Sequence, residues 1–431
     1  MLRPPGRYGS DRSWHDFTSC PEIRGAIRGR PRCAARFAAL FAPLLAPLLA
    51  LLITVLGACT TTPPAPAGPL APATPLPPAR AQLREAGFDS LPGWASDDLR
   101  AAWPAFLNSC KALRSRPAWR APCAVAGGVA ADDNLAIRNF FETRFTVQEL
   151  RDSNGASTGL VTGYYEPLLR GSRTRRPPYL TPLYGVPDDL LTIDLSSVYP
   201  QLAGMRLRGR LLGNKVVPYA DRHEIVSERP PRGKEIVWVD NPVEAFFLQI
   251  QGSGRVDIDD SNAKPPGRRE TIRLGYADQN GHPYKSIGRW LVDQGQMTID
   301  QVSMQSIAAW AAAHPERLSE LLDSNPSYVF FRESAIADAA VGPNGALGVP
   351  LTPQRSIAVD PASIPLGTPV FLETTEPSGS QPLQRLVMAQ DTGGAIRGVI
   401  RADYFWGFGD AAGQQAGRMK QQGRIWLLLP R

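Results

Sequence analysis

From Gly159 onward the chain for the most part holds no helical hydrophobic period. It runs instead in short β-prone stretches broken by Pro and Gly, among them Leu160-Val-Thr-Gly-Tyr-Tyr, Glu235-Ile-Val-Trp-Val and Phe246-Phe-Leu-Gln-Ile-Gln. Such runs fit sheets built from many short strands and exclude a helical bundle as the main architecture. Helical spacing dominates only before that point, in Gln82-Leu-Arg-Glu, Asp97 to Leu107 and Leu135 to Leu150. It returns in Ser286 to Asp293 and Thr298 to Leu322. The expectation is therefore an α+β chain, mainly β.

Not all 431 residues are available for that fold. The first 36 carry eight arginines against Asp11, Asp16 and Glu22, and Phe37 to Ala58 carries no charge. A basic region followed by an apolar one is a secretory signal. It ends in Leu56-Gly57-Ala58-Cys59, which resembles the bacterial lipobox, so Cys59 is expected to carry lipid. A retained transmembrane anchor is the competing reading, with Pro43 and Pro47 against it. Residues 60–80 are rich in Thr, Pro and Ala and read as an extended tether. Of 47 basic and 40 acidic side chains, the leader to Arg36 holds eight and three, leaving 39 and 37. The high pI thus belongs mostly to targeting and gives no ground for a nucleic-acid partner.

Cys20 and Cys33 leave with the leader. Cys110 and Cys123 remain in the folded part, where an oxidising envelope favours a disulfide over two buried thiols. His15, His223, His282 and His314 are scattered, and no Cys/His spacing suits zinc, so neither metal nor cofactor is expected.

Residues 388–408 concentrate the chemistry. Asp391 and Asp403 bracket a glycine-rich turn, and Tyr404, Phe405, Trp406 and Phe408 follow at once. A carboxyl group beside aromatic rings suits proton transfer on a stacked carbohydrate, with Trp406 as the candidate platform. Asp391 before Thr-Gly-Gly can equally be a turn former bonding its own backbone. Gln249 and Gln251 alternate in a run read as a strand, and Ser253 sits in a Gly-Ser-Gly turn. Amides and a hydroxyl on one face suit sugar hydroxyls and acetamides, or are simply solvated. Gly275 to Lys285 reads as a polar hairpin, and Arg355 to Leu372 as strand, turn and strand with Asp360 at the corner.

These segments together resemble a known family. Asp360 in Ala-Val-Asp-Pro, Asp391 in Asp-Thr-Gly-Gly-Ala-Ile-Arg-Gly and Asp403 in Arg-Ala-Asp-Tyr-Phe-Trp-Gly are similar to the three aspartates of the 3D domain. Thr162-Gly-Tyr-Tyr, Phe247-Leu-Gln-Ile-Gln-Gly-Ser-Gly and Asn325-Pro-Ser-Tyr-Val-Phe-Phe-Arg resemble the rest of the membrane-bound lytic murein transglycosylase A family, over Arg80 to the C-terminus. The resemblance implies a double-psi β-barrel domain plus an inserted smaller β-domain, with substrate in the groove between them. The expected division is 1–58 signal peptide, 59–80 lipidated cysteine and tether, 81–165 with 301–431 barrel, and 166–300 insert. It implies cleavage of the β-1,4 bond between N-acetylmuramic acid and N-acetylglucosamine in peptidoglycan, with a 1,6-anhydro ring as product. Asp403 would be the single general acid and base, Asp391 a supporting acid, and Asp360 structural. Thr162, Tyr164, Tyr165, Gln249, Gln251 and Ser253 would bind substrate. Glu166 is a tempting second carboxylate that the resemblance does not support. The implied partners are peptidoglycan strands, the membrane through the lipid, and wall-synthesis enzymes; the implied place is the outer membrane, facing the periplasm. Two other readings stay open: an aspartic-protease-like hydrolase using Asp391-Thr-Gly, and a tethered binding protein without activity.

Overall fold

The computed structural model describes residues 81–259, 270–336, 338 and 340–431. The signal peptide, Cys59 and the tether to residue 80 lie outside the described residues. Among those described, no helix is long and apolar enough to cross a membrane.

The chain opens with β1 (Gln82–Ala86), then helices α1 (Trp103–Leu113), α2 (Pro117–Ala126) and α3 (Asn134–Arg144), then β2 (Phe145–Arg151) and β3 (Gly159–Glu166). The insert follows. It comprises β4 (Leu168–Ser172), β5 (Thr181–Tyr184), β6 (Leu191–Thr192), β7 (Arg208–Leu212), β8 (Lys215–Pro218), β9 (Glu235–Val239), α4 (Pro242–Gln251), β10 (Ser253–Ile258) and β11 (Glu270–Gln279). It ends with α5 (Ile287–Asp293), α6 (Met304–Ala313), α7 (Leu318–Asp323) and β12 (Val329–Ala335). The last part holds β13 (Ser356–Val359), β14 (Pro369–Thr375), β15 (Pro382–Asp391), β16 (Arg401–Phe408), α8 (Gly409–Arg418) and β17 (Lys420–Pro430).

The main sheet runs β1-β2-β17-β14-β15-β13-β16-β3, and β17 also pairs with β3. Six strands from both ends of the described chain thus close a ring, with β1 and β2 extending from it. Alternation along these strands serves two cores at once. In β14, Val370 and Leu372 enter the ring while Phe371 faces the helices. In β17, Ile425 and Leu427 go inward and Trp426 and Leu428 outward. The outward residues meet Trp103, Phe106, Phe140 and Phe141 in a dense aromatic cluster. Strands covered on both faces explain the runs with few polar positions. A buried ion pair locks the helical layer to the ring. Arg355 donates to both oxygens of Asp97 at 2.9 and 2.8 Å, and Leu386 N donates to Asp97 at 2.7 Å.

Cys110 and Cys123 form a disulfide between α1 and α2. Closing a loop of this length is worth about 3 kcal/mol by restricting the unfolded chain. Cys110→Ser should therefore lower unfolding free energy by about that amount in denaturant titration, with the reduced wild type matching the variant.

Several elements depart from the sequence reading. Gln82–Ala86 is an edge strand paired with β2, not a helix. The helix over 135–150 stops at Arg144, because Phe145 and Val147 alternate into the aromatic core. Phe246 to Gln251 is helical rather than extended. Asn241 caps α4 by accepting from Val243 N and Glu244 N, Pro242 sits in its first turn, and Gly252 ends it at φ 79°. A short apolar run has no decisive period; here the cap residues decide. Residues 275–279 continue β11 instead of forming a hairpin. The insert also passes residue 300. Its six-stranded sheet, β12-β11-β10-β4-β9-β5, takes its edge from β12, and residues of α5 to α7 pack with Phe246 of α4.

Candidate active site

Four neighbouring strands put the site residues in one row. Thr162 of β3 is in register with Asp403 of β16, Asp403 with Ala358 of β13, and Ala358 with Asp391 of β15. Two strand spacings separate the acids, about 10 Å between Cα atoms. On this face the floor is Tyr164, Ala358, Ile396 and Phe405, with Leu351. Ala358 contributes only a methyl group between the carboxylates.

Asp403 Oδ1 accepts from Thr162 Oγ1 at 2.5 Å, and Arg401 Nη2 donates to the same hydroxyl oxygen at 2.8 Å. Oδ2 of Asp403 has no partner among the described residues. Burial raises the pKa of Asp403, while the Thr162 hydrogen bond and the Arg401 charge pull against that rise. Asp391 is held at both oxygens. Its Oδ1 accepts from Ala346 N and Thr392 N, both at 2.9 Å, and its Oδ2 accepts from Tyr164 Oη at 3.1 Å. Burial nevertheless pushes its pKa up to about 6; these three donors oppose the shift and the Asp403 charge adds to it. Desolvation and the two neighbouring acids raise the Tyr164 hydroxyl well above its usual value, so it stays a neutral donor. Gly345 makes the Ala346 contact possible. A Cβ there would lie 2.5 Å from the Gln390 carbonyl oxygen, so only glycine lets the loop cross β15.

Two family models match this chain: the MltA specific insert domain over residues 160–332 and the 3D domain over 355–429. Membrane-bound lytic murein transglycosylase A of Escherichia coli K12 is 32% identical over 297 residues, covering 68% of this chain and 71% of its own. A crystal structure of MltA from Neisseria gonorrhoeae is 38% identical, covers 81% of this chain and 93% of its own, and superposes with a TM-score of 0.70. Escherichia coli MltA with bound chitohexaose is 26% identical, covers 81% and 94%, and gives a TM-score of 0.60. The chain belongs to the membrane-bound lytic murein transglycosylase A family.

With the family established, the expected site residues separate into two groups. Thr162, Tyr164, Asp391 and Asp403 come together. Trp406 does not join them. It is 8% exposed inside the ring, 5.0 Å from Tyr404 between ring centroids, with Nε1 donating to Met419 Sδ at 3.3 Å. Alternation explains this: Tyr404 and Trp406 point inward while Asp403 and Phe405 share the outer face. Trp406 is thus no stacking platform; the rings on the face of the acids are Tyr164 and Phe405, packed 5.1 Å apart between centroids. Tyr165 turns to the opposite face, under α8. There a Cβ on Gly413 would lie 2.8 Å from its ring. Gln251 Oε1 accepts from Tyr165 N at 3.1 Å. Gln249 is buried in the insert, where its Oε1 accepts from Arg222 Nη2 at 2.8 Å. Ser253 begins β10 half-buried. Asp360 binds the neighbouring turn, accepting from Gly398 N at 2.9 Å.

Glu166 is fully buried and takes Arg255 at 2.8 Å and Arg273 at 2.6 Å, so it clamps the ring to the insert. It is no second catalytic carboxylate. Among the described residues Asp391-Thr-Gly stands alone and makes no hydrogen bond to Asp403, unlike a protease dyad sharing a proton. Gln390 beside it is spent in the core, donating to Ala105 O at 2.8 Å and accepting from Ser356 Oγ at 2.6 Å. Residue types alone missed Arg401, although its position two before Asp403 on a strand puts both on one face. Ala346 carried no sequence signal, because only its backbone acts.

Thr162→Val tests the Asp403 contact. Losing a hydroxyl that lowers the Asp403 pKa should move the alkaline limb of the kcat/KM profile to higher pH. It should also cut kcat about tenfold, as expected for one charge-assisted hydrogen bond.

Proposed function

We propose that this peptidoglycan lytic transglycosylase works with Asp403 as its one general acid and base. What carries the reading is the contrast in hydrogen bonding: Asp391 has both oxygens occupied, whereas Asp403 keeps Oδ2 open to a glycosidic oxygen. A buried carboxyl with a raised pKa holds its proton closer to neutral pH, as an acid catalyst must. The proton passes to the bridging O4 of N-acetylglucosamine as the C1–O4 bond of N-acetylmuramic acid breaks. The muramic C6 hydroxyl then attacks C1, and its proton returns to Asp403. No water is consumed, and a 1,6-anhydro ring results.

Asp391 orients Tyr164 and the loop at Ala346 around the row. Its charge opposes joint ionisation of the two acids. Thr162 and Arg401 hold Asp403 in place, and the bound chitohexaose in the Escherichia coli relative supports a glycan strand as the ligand of this face. Gln251 and Ser253, at the junction with the insert, are the further candidates for sugar contact.

The basic and apolar segments before Cys59 support a lipoprotein in the outer membrane, its catalytic part held in the periplasm by residues 59–80, within reach of wall-synthesis enzymes. Cys59→Ala should abolish palmitate labelling and release the protein to the soluble fraction; unchanged labelling refutes the anchor. For the reaction, digestion of isolated sacculi followed by mass analysis is decisive. Anhydro-muropeptides are expected, and reducing-end products would show hydrolysis instead.

A further inference from the structure

The insert contains a cavity of about 600 Å³ that the row of acids does not use. Tyr184 of β5, Trp238 of β9, Phe246 and Gln249 of α4, and Leu318 and Leu322 of α7 line it. Mostly apolar walls with a few fixed polar groups are the usual make-up of a small-ligand site.

Arg222 is part of this wall and only 4% exposed. Its Nε donates to Asn325 O at 2.9 Å, and its Nη2 donates to Gln249 Oε1 at 2.8 Å and to Ser327 O. Nη1 has no hydrogen-bond partner among the described residues. The guanidinium lies 4.5 Å from the Phe246 ring centroid and 5.1 Å from that of Tyr328. Burial lowers its pKa to about 10, so it remains charged at neutral pH. A buried cation is normally paired, yet among the described residues no carboxylate is within ion-pair distance of it. Arg175 and Arg232 also line the cavity and make no ion pair among those residues. The two acids present are engaged elsewhere: Asp323 with His223 Nδ1 at 2.8 Å, and Glu235 accepting from Gly233 N at 2.7 Å.

We propose that this cavity is a second binding site, for a short peptide bearing a carboxylate. Arg222 Nη1 pairs with the carboxylate, Arg175 adds charge at the rim, and the aromatic walls cover the peptide's apolar part. The inference rests on the function proposed above, since peptide stems are the carboxylate-bearing branches of peptidoglycan. The site holds a strand by its stem while the row of acids acts on glycan.

The test is calorimetric titration of the full-length chain in detergent with a synthetic stem tetrapeptide, the same peptide with every carboxylate amidated, and free D-alanine. The tetrapeptide should bind at one site, and amidation should weaken it at least about tenfold, the worth of a charged hydrogen bond. Arg222→Gln should do the same. Because Arg222 also holds the Asn325 and Ser327 carbonyls, Arg175→Ala and Ser319→Trp, at exposed cavity positions, give the control that keeps the fold. Both should weaken binding while anhydro product still forms from peptide-free glycan. Free D-alanine binding as tightly as the tetrapeptide would support the carboxylate site but overturn its assignment to stems. Equal affinity for peptide and amide, or full affinity in both exposed variants, overturns the proposal. Product release in the same preparation reports on the reaction separately.

Discussion

Asp403→Asn leaves a folded protein that releases anhydro-muropeptides from sacculi about 100- to 10,000-fold more slowly than the wild type, the range for loss of a general acid. Asparagine keeps the shape and can still accept from Thr162, so near- and far-UV circular dichroism should not change. What it lacks is the proton, which both steps of the proposed reaction pass through this one side chain. Asp391→Asn should cost less, because it disturbs Tyr164 and the loop at Ala346 but removes no proton donor. It should also stabilise the fold in alkaline solution. With a folded pKa of about 6 against an ordinary value of 3.8, ionisation of Asp391 costs stability that builds from about pH 3.8 and is complete above pH 6. Substitution removes that cost, and the gain vanishes below the unfolded pKa, where both states are protonated. Thermal unfolding at several pH values reads this directly. A greater activity loss in Asp391→Asn than in Asp403→Asn would exchange the two roles.

Glu166→Ala is expected to be the most destabilising single change in the chain, by about 3–5 kcal/mol in denaturant titration. Glu166 is fully buried, and side-chain exposure is 8% for Arg255 and 11% for Arg273. Removing the carboxylate leaves two guanidinium groups facing one another with little water. Both also donate to Val341 O, and Arg255 stacks 3.8 Å over the Phe408 ring, so the loss spreads into the loop after β12 and the end of β16. Because β3 also carries Thr162 and Tyr164, activity should fall with stability. Glu166→Gln, which keeps one acceptor, should be intermediate. A stability loss under about 1 kcal/mol would place this triad with weak surface pairs.

Much of the site was legible because its residues are local in sequence. Asp391 and Asp403 lie on consecutive strands, and Thr162-Gly-Tyr-Tyr forms one strand, so motif and geometry coincide there. The mistaken roles came from facing. Trp406 is three residues from Asp403, an odd step, which on a strand is the opposite face. Tyr165 differs from Tyr164 for the same reason. The Gln249 and Gln251 run was misread for want of a period, and the cap at Asn241 and the turn at Gly252 were the available correction.

The sequence by itself determined the β-rich class and the acids worth attention, since composition, spacing and turn residues act locally. Only the tertiary structure decided that Asp391 has both oxygens hydrogen-bonded while Asp403 has one without a partner among the described residues, that Glu166 is a clamp, and that Arg401 and Ala346 lie beside the acids. Those outcomes depend on strand register and on burial between segments as much as 241 residues apart, as with Thr162 and Asp403. Local patterns carry no record of such pairings, because long-range contact and desolvation exist only once the ring has closed.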